Sequence, residues 1–421
     1  MTATTVPPAA AVTAAADERR SRLKLVLVLG SLIALGPLTI DLYLPALPSI
    51  TQDLMTTEAA VQLTLTGTLL GVAMGQLVVG PLSDAFGRRT PLLVGVAVHV
   101  LASLLCMLAP TVEVLGGLRV LQGLGAAAAS VTAMAVVRDR YTGIAAATVL
   151  SRLMLVLGAA PVLAPTLGGE ILRYTDWRGV FGVLAAIGVV LVIVAAFALE
   201  ETLPAERRRS GRFVGTLRTY RGLLRDRTYV GLILVAGLSM SALFAYVSGS
   251  SFILQDQYGL DEQQFGLAFG AGAVGLIGAT QLNPRLLRTL QPQQVLTRSL
   301  VAGLAFSLVL LATASTGFGG LPGLLLPLWA VLATVGLAMP NTPALALSRH
   351  GEAAGTAAAL LGATQFGVAA LTAPFVGVLG NDGRAMALVV TAGMAGALAV
   401  LLLVVRPGSL VCEDTHQTTA R

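Results

Sequence analysis

Twelve apolar runs, each of about 20 residues, dominate this sequence of 421 residues. A helix that crosses the hydrocarbon of a bilayer needs about 20 apolar residues. Over the whole chain 55% of the residues are hydrophobic and 11% are charged, which is too little charge to cover the surface of a soluble protein. The sequence therefore predicts an all-α membrane protein with twelve transmembrane helices. The apolar runs are 25–46, 61–82, 91–109, 114–137, 148–171, 179–199, 229–252, 265–284, 299–316, 321–347, 354–378 and 385–405.

Basic residues divide the loops between these runs into two classes. If the N-terminus lies inside, the inner segments and the adjoining run ends hold 23 of the 27 arginine and lysine residues, and the outer loops hold three. Inner loops of membrane proteins are enriched in these residues. We therefore expect a multi-pass protein with cytoplasmic N- and C-termini. The basic residues alternate between loops instead of forming one face, so we expect no nucleic-acid partner.

A duplication relates the first six runs to the last six. The sequence Gly-Ile-Ala-Ala-Ala-Thr from Gly143 parallels Gly-Glu-Ala-Ala-Gly-Thr from Gly351, and Ala-Pro-Thr-Leu-Gly from Ala164 parallels Ala-Pro-Phe-Val-Gly from Ala373. Transporters often place substrate sites between two such repeats, near the middle of the membrane. The predicted regions are a disordered cytoplasmic leader (1–23), an N-terminal six-helix bundle (24–200), a basic cytoplasmic linker (201–228), a C-terminal six-helix bundle (229–406) and a cytoplasmic tail (407–421).

The loop after the second run reads Gly-Pro-Leu-Ser-Asp-Ala-Phe-Gly-Arg-Arg from Gly80. It resembles the signature loop of the major facilitator superfamily, G-x-x-x-D-x-x-G-R-[RK]. That resemblance implies the twelve-helix major facilitator fold and a gate that closes the inner side. The alternative is an ordinary basic loop that orients the protein. The gating residues that the resemblance implies are Gly80, Asp84, Gly87, Arg88 and Arg89, with Arg138 or Asp139 as partners.

Three further stretches resemble drug/proton antiporters within this superfamily. Leu118 to Gly123 resembles the fourth-helix R-x-x-Q-G motif, and Ile40 to Pro48 looks like the first helix of the bicyclomycin-resistance (Bcr/CflA) branch, which includes phenicol exporters. Ser251 stands where many relatives have proline, which leaves the bend of the seventh helix open. The resemblance implies an exporter of the bacterial cytoplasmic membrane, and we expect it to be monomeric. The fifth-helix antiporter motif corresponds to Gly158, Pro161, Pro165, Gly168 and Gly169.

Asp41 is the residue that the sequence singles out for proton coupling. The apolar stretch from Leu25 to Leu35 is too short to span the membrane, so the helix must continue through Pro37 and carry Asp41 into the hydrocarbon. An ionised carboxylate there costs about 2.5–3.5 kcal/mol on insertion scales. Because removal from water favours the protonated form of a carboxyl group, Asp41 is suited to bind and release a proton. The alternative is a helix cap at the outer interface.

Arg119 and Gln122 are the predicted companions of Asp41. At 1.5 Å per residue, Asp41 lies about 26 Å beyond Lys24, and Arg119 lies about 29 Å from Arg138 on the same inner surface. We therefore expect Arg119 to tune the pKa of Asp41 directly or through Gln122. The alternative for Arg119 is a purely structural pairing. We expect His99 and Glu170 to be structural as well.

The predicted function is proton-coupled export of small amphipathic or lipophilic drugs, since the runs offer few polar groups to bind a sugar. The alternatives are a carrier of an endogenous metabolite or self-made antibiotic, and a non-transporting membrane receptor or scaffold. No phosphate-binding loop, H-E-x-x-H or nucleophile elbow occurs, so we expect no enzyme, metal or cofactor, and the proton gradient as energy source. The residues predicted to line a substrate cavity are Tyr43, Met134, Met154, Phe244, Tyr246 and Phe366.

Overall fold

The structure is a computed structural model that describes residues 9–208 and 213–409. Within these residues the chain folds into helices, turns and loops. The N-terminal half contains α1 (Ala9–Asp41), α2 (Leu47–Asp53), α3 (Glu58–Phe86), α4 (Arg89–Met107), α5 (Val112–Arg140), α6 (Gly143–Leu172) and α7 (Trp177–Ala198). The C-terminal half, preceded by α8 (Phe213–Leu223), contains α9 (Arg227–Phe252), α10 (Glu262–Leu286), α11 (Pro292–Thr316), α12 (Gly320–Leu347), α13 (Ala354–Thr372), α14 (Pro374–Val378) and α15 (Gly383–Val400).

Twelve helical segments of the described chain are long and apolar enough to cross a membrane, which confirms the predicted number. Two spans consist of more than one helix, because α1 with α2 forms the first and α13 with α14 forms the eleventh. Short π-helical turns, Ile253–Gln257 and Leu401–Val405, extend α9 and α15. The turn at Ile253 lies two residues after Ser251, where the sequence left the bend of this span open.

Helix α1 begins at Ala9, inside the segment 1–23 for which the sequence predicts disorder. Residues 9–16 include six alanines, and alanine has the highest helix propensity of all residues. Residues 1–8, the linker residues 209–212 and the tail beyond residue 409 lie outside the described residues.

Close helix packing within the N-terminal half depends on glycine. A side chain at Gly71 of α3 would overlap the carbonyl of Val120, and one at Gly123 of α5 would overlap the carbonyl of Thr68. Small residues let membrane helices approach closely and gain van der Waals contact. Helix α5, which carries Arg119, therefore packs closely against α3.

The two halves meet along two equivalent seams. Helix α6 packs against α10, and α3 packs against α13. These are the fifth span against the eighth and the second against the eleventh, so a twofold repeat exchanges one seam for the other. The end of the bundle that carries the segment 199–226 is called the linker side here, and the opposite end is called the far side.

Candidate functional site

Asp41 lies at a break in the first span. It is the last residue of α1, and a 3-10 turn, Leu44–Ala46, follows before α2. Pro37 has no N–H to donate, and the Thr39 hydroxyl donates to the Leu35 carbonyl at 2.6 Å. Asp41 is only 5% exposed, and in the described part of the chain its carboxyl group has no hydrogen-bond or ion-pair partner. The break thus holds an acidic group out of water.

Arg119 lies at nearly the same depth in the bundle as Asp41. Its Nη1 donates to the carbonyl of Thr39, two residues before Asp41, at 3.0 Å. The same nitrogen donates to Gln122 Oε1 at 2.5 Å. Arg119 is fully buried, with its guanidinium carbon 3.9 Å from the centre of the Tyr43 ring. Aromatic faces attract a desolvated cation. Arg119 therefore sits near Asp41 with its Nη1 bound by a carbonyl and an amide, while its Nε and Nη2 are buried without a hydrogen-bond partner among the described residues.

The network extends from Gln122 to α4. Gln122 Nε2 donates to Ser103 Oγ at 2.8 Å, and the Ser103 hydroxyl donates to the His99 carbonyl at 2.7 Å. His99 Nδ1 lies 3.2 Å from the Gln122 carbonyl oxygen. His99 is fully buried. These contacts link His99 to Arg119 through Gln122.

Hydrogen bonds between the halves close the far side just beyond Asp41. The Ser251 hydroxyl donates to the Leu44 carbonyl at 2.6 Å, and Gln255 Nε2 donates to the Pro45 carbonyl at 3.2 Å. Both carbonyls belong to the 3-10 turn that follows the break, and the Leu44 carbonyl also accepts the backbone N–H of Leu47. The local break that places Asp41 therefore also supplies the acceptors for the opposite half.

A second far-side contact, missed by the sequence reasoning, joins α3 to the loop after α14. The fully buried Gln62 donates through Nε2 to the Ser248 carbonyl at 3.2 Å and to Asn381 Oδ1 at 2.5 Å. Asn381 Nδ2 donates in turn to the Glu58 carboxylate. These four residues form a polar clasp across the two halves. The only sequence signal was a lone glutamine in an apolar run.

The predicted antiporter motif forms the α6–α10 seam. A side chain at Gly168 would overlap the Leu42 carbonyl, next to Asp41, and one at Gly169 would lie 2.7 Å from the Glu262 carbonyl. Gly158 faces Ile277 of α10. Pro161 and Pro165 lie within the same helix, and Pro165 packs against Gly266 of α10. At the far end of this seam Glu170 Oε2 accepts a hydrogen bond from Gln263 Nε2 at 2.7 Å.

At the linker side, Arg88 joins the loop motif to the end of α5. Its Nη1 donates to Asp84 Oδ1 at 2.5 Å and to Ser83 Oγ at 2.7 Å, and its Nε donates to Asp139 Oδ2 at 2.7 Å. Of the two expected partners, Asp139 is therefore the one that Arg88 binds. Arg138 instead lines a cavity between the halves. All of these bonds stay within the N-terminal half.

Glu201, which the sequence reasoning did not select, completes this cluster. Its carboxylate accepts from the backbone N–H groups of Arg88 at 2.8 Å and Arg89 at 3.2 Å. A side chain at Gly87, whose φ is +89°, would overlap that carboxylate. Burial alone would raise the pKa of Glu201, but the N–H groups of Leu203, Arg88 and Arg89 hold this pKa below its usual range. The signal in the sequence was an acidic pair directly after the sixth apolar run.

The linker-side cavity has a volume of about 1040 Å³ and opens between α3, α5, α8 and α13. Gly80, Met134, Ser130 and Gln76 are among its lining residues. Met154 on α6 lies outside this lining and is 43% exposed. The cavity is large enough for a drug-sized molecule.

The predicted aromatic cavity residues are packed in the interior. The Tyr43 hydroxyl lies 3.4 Å from the Thr64 hydroxyl, beneath Arg119. Phe244 and Phe366 contact each other with ring centres 6.1 Å apart. Tyr246 is 2% exposed. None of these four side chains is among the residues that line the linker-side cavity.

The described fold and motifs agree with comparisons to known proteins. The family model of the Major Facilitator Superfamily matches residues 27–374. The chain belongs to the major facilitator superfamily. The resemblance of its motifs to that superfamily is thereby confirmed, and the protein is a membrane transporter.

Relatives of this transporter include curated bacterial proteins along nearly its whole length. The uncharacterized MFS-type transporter YdgK of Bacillus subtilis is 38% identical over 361 residues, which cover 85% of this chain and 90% of the relative. The bicyclomycin resistance protein homolog of Haemophilus influenzae is 31% identical over 388 residues, covering 91% and 96%. The second relative confirms the predicted likeness to the bicyclomycin-resistance branch.

Solved structures show the same fold. The xylose transporter XylE from E. coli, in a partially occluded inward open conformation, superposes with a TM-score of 0.72 at 13% identity, covering 91% of this chain and 98% of that chain. At this identity the likeness concerns the fold alone. The arrangement of twelve helices in two halves is therefore that of other major facilitator transporters.

Proposed function

We propose that this transporter exports small amphipathic or lipophilic drugs in exchange for protons, by alternating access in the bacterial cytoplasmic membrane. The linker side faces the cytoplasm, as the arginine-rich inner segments indicate. The observation that carries the proposal is the buried carboxyl group of Asp41, without a partner in the described part of the chain and at the junction of the two halves. An ionisable group inside a membrane domain is costly and therefore points to function.

The coupling scheme follows from where Asp41 lies. When Asp41 is protonated it carries no charge, and the halves can rearrange around it without moving a charge through a dry interface. When the proton leaves, a charge appears behind the carbonyls of Leu44 and Pro45, where the other half is bound. Binding or release of the proton thus changes the relative free energy of the inward-facing and outward-facing states.

The proposed substrate class rests on the cavity and on a relative. Met134, Val131 and Ala135 give the cavity an apolar wall, and Gln76 and Ser130 add polar groups. Flexible methionine suits ligands of variable shape. The name of the Haemophilus relative refers to bicyclomycin resistance. Bicyclomycin and phenicols are therefore the first compounds to test, with protons as the second partner and no cofactor.

A drug-susceptibility panel in an efflux-deficient bacterial host tests this function. The cells express the wild type, Asp41→Asn or the control Glu113→Gln, which alters an exposed carboxylate at the far-side end of α5. We expect wild type and Glu113→Gln to raise the tolerated concentration of at least one panel drug several-fold. Asp41→Asn is expected to give no protection at equal membrane expression. Protection by Asp41→Asn equal to that of the wild type would contradict the proposal.

A further inference from the structure

Tyr246 of α9 lies at the same depth as Asp41, on the opposite half of the molecule. Helices α1 and α9 both run from the linker side to the far side, and the Ser251 hydroxyl joins them by donating to the Leu44 carbonyl. Asp41 lies three residues before Leu44, and Tyr246 lies five residues before Ser251. At 1.5 Å per residue the two side chains differ in depth by about 3 Å.

The hydroxyl group of Tyr246 is buried without a partner. Among the described residues no hydrogen bond reaches it, although the side chain is 2% exposed. The ring is held in place by stacking on Phe269, with centres 4.9 Å apart and planes 15° from parallel. The Asp41 carboxyl group lies within electrostatic reach of this hydroxyl. A buried hydroxyl without a partner is unfavourable. We therefore expect the Tyr246 hydroxyl to gain a hydrogen-bond partner in another state of the transport cycle.

Among the other polar groups near Asp41, Arg119 keeps donors without a partner, since its Nε and Nη2 are buried and make no hydrogen bond among the described residues. Arg119 from α5 is bound to the Thr39 carbonyl and to Gln122, and the Tyr43 hydroxyl lies beside Thr64. Helix α6 contributes Gly168, which contacts the Leu42 carbonyl. Besides Arg119 of the same half, Tyr246 of α9 brings an unused hydrogen-bond donor to this region from the opposite half.

We propose that Tyr246 is a positioning residue, whose phenol O–H donates a hydrogen bond to the Asp41 carboxylate after Asp41 has released its proton. This inference rests on the proposed function, because it assumes that Asp41 exchanges protons. The bond would join the two halves near the far side only while Asp41 is ionised. An empty, ionised carrier would then stay closed at the far side until substrate or a proton breaks the bond, which limits proton leak.

Infrared difference spectroscopy of the purified transporter in lipid tests this inference without a drug. The carbonyl stretch of a protonated carboxyl group is followed against pH, and its absence in Asp41→Asn identifies the Asp41 band. In Tyr246→Phe we expect the midpoint of this band to move to higher pH by about one unit, because the ionised form loses a charge-assisted hydrogen bond. The control is Tyr229→Phe, which removes a buried hydroxyl of the same helix that donates to the Ala357 carbonyl at 2.7 Å.

A second variant keeps the ring intact. Replacing Tyr246 by 3-fluorotyrosine makes the phenol a stronger donor, and we expect the midpoint to move to lower pH. An Asp41 band that titrates normally but has the same midpoint in both Tyr246 variants would overturn the role of Tyr246 and leave the proposed function intact. A wild-type protein with no titrating Asp41 band would instead overturn the proton-coupling part of the proposed function.

Discussion

At the far side, hydrogen bonds cross from one half to the other, whereas at the linker side the ion pairs of the loop motif stay within the N-terminal half. Gln62 and Ser251 bind backbone carbonyls of the opposite half. Arg88, in contrast, binds Asp84 and Asp139 of its own half, and an open cavity separates this cluster from α13. Polar groups therefore close an end of this molecule only where they reach across the seam between the halves.

The two ends also differ in chemistry. The far-side contacts use neutral donors, and their acceptors are backbone carbonyls, the Asn381 amide and the Glu58 carboxylate, so their separation breaks no ion pair. In the linker-side cluster, the Arg88 guanidinium is shared between the carboxylates of Asp84 and Asp139. Both charge-assisted contacts are lost when Arg88 is removed. We therefore expect the far side to open at low cost and the linker-side cluster to be the more sensitive to mutation.

Removing Arg88 should have the largest effect on this contrast. In Arg88→Ala, Asp84 and Asp139 lose the guanidinium that separates their charges, and we expect roughly 2–3 kcal/mol of lost stability, less than for a fully buried pair because Asp84 is half exposed. The measurement is the thermal denaturation of the purified protein in detergent. The control is Arg140→Ala, which removes the exposed ion pair with Glu200. Equal losses in the two variants would show that Arg88 has no special role.

Breaking the far-side clasp should have an intermediate effect. Gln62→Ala removes the bonds to Ser248 and Asn381, and since each is worth about 1 kcal/mol, the far side should be open about 5–30 times more often. A membrane-impermeant maleimide should then label Ser248→Cys faster by that factor, in a background without Cys106 and Cys412.

Thr51→Ala is the control for this labelling, because the Thr51 hydroxyl bonds to the Leu47 carbonyl of its own helix. It should leave the labelling rate unchanged. Faster labelling in Thr51→Ala, or an unchanged rate in Gln62→Ala, would argue against the clasp as a contact that closes the far side.

The smallest effect is expected for Glu201→Gln. An amide keeps one acceptor for the N–H groups of Arg88 and Arg89, so we expect a loss of about 1 kcal/mol at neutral pH. Because the pKa of Glu201 is lowered in the folded protein, its ionised form stabilises the fold above the ordinary glutamate pKa, and that stability is lost as pH falls through the lowered value. Thermal denaturation from pH 8 downward should show a constant difference from the wild type that shrinks below about pH 4.5.

Glu206→Gln, a change at an exposed linker carboxylate, provides the comparison for Glu201. It should match the wild type at every pH. A difference between Glu201→Gln and the wild type that grows as the pH falls would contradict the assigned sign.

The sequence predicts the parts of this molecule that depend on local composition. Twelve spans follow from run length, and the burial of Asp41 follows from a first run too short to end at Leu35. Counting residues along the helices predicts that Arg119 lies at the depth of Asp41, and the contacts of Arg119 with Thr39 and Gln122 are found at that depth. These features are readable because the membrane fixes length and depth.

Contacts between residues that are far apart in the sequence could not be predicted. Gln62 and Asn381 are 319 residues apart, and Glu201 reaches the loop motif because the chain folds back after α7. Tyr43 was expected in a substrate cavity but lies under Arg119, since the turn after Asp41 rotates it toward α5. Such partners are set by the packing of the two halves, which run lengths do not specify.

The most direct test of the central claim is bicyclomycin flux in proteoliposomes with and without an imposed pH difference. The purified wild type, Asp41→Asn and Glu113→Gln are compared at equal protein content. We expect the pH difference to accelerate flux by the wild type and by Glu113→Gln, and to have no effect on Asp41→Asn. Acceleration of Asp41→Asn to the wild-type rate would contradict the role of Asp41 as the proton carrier.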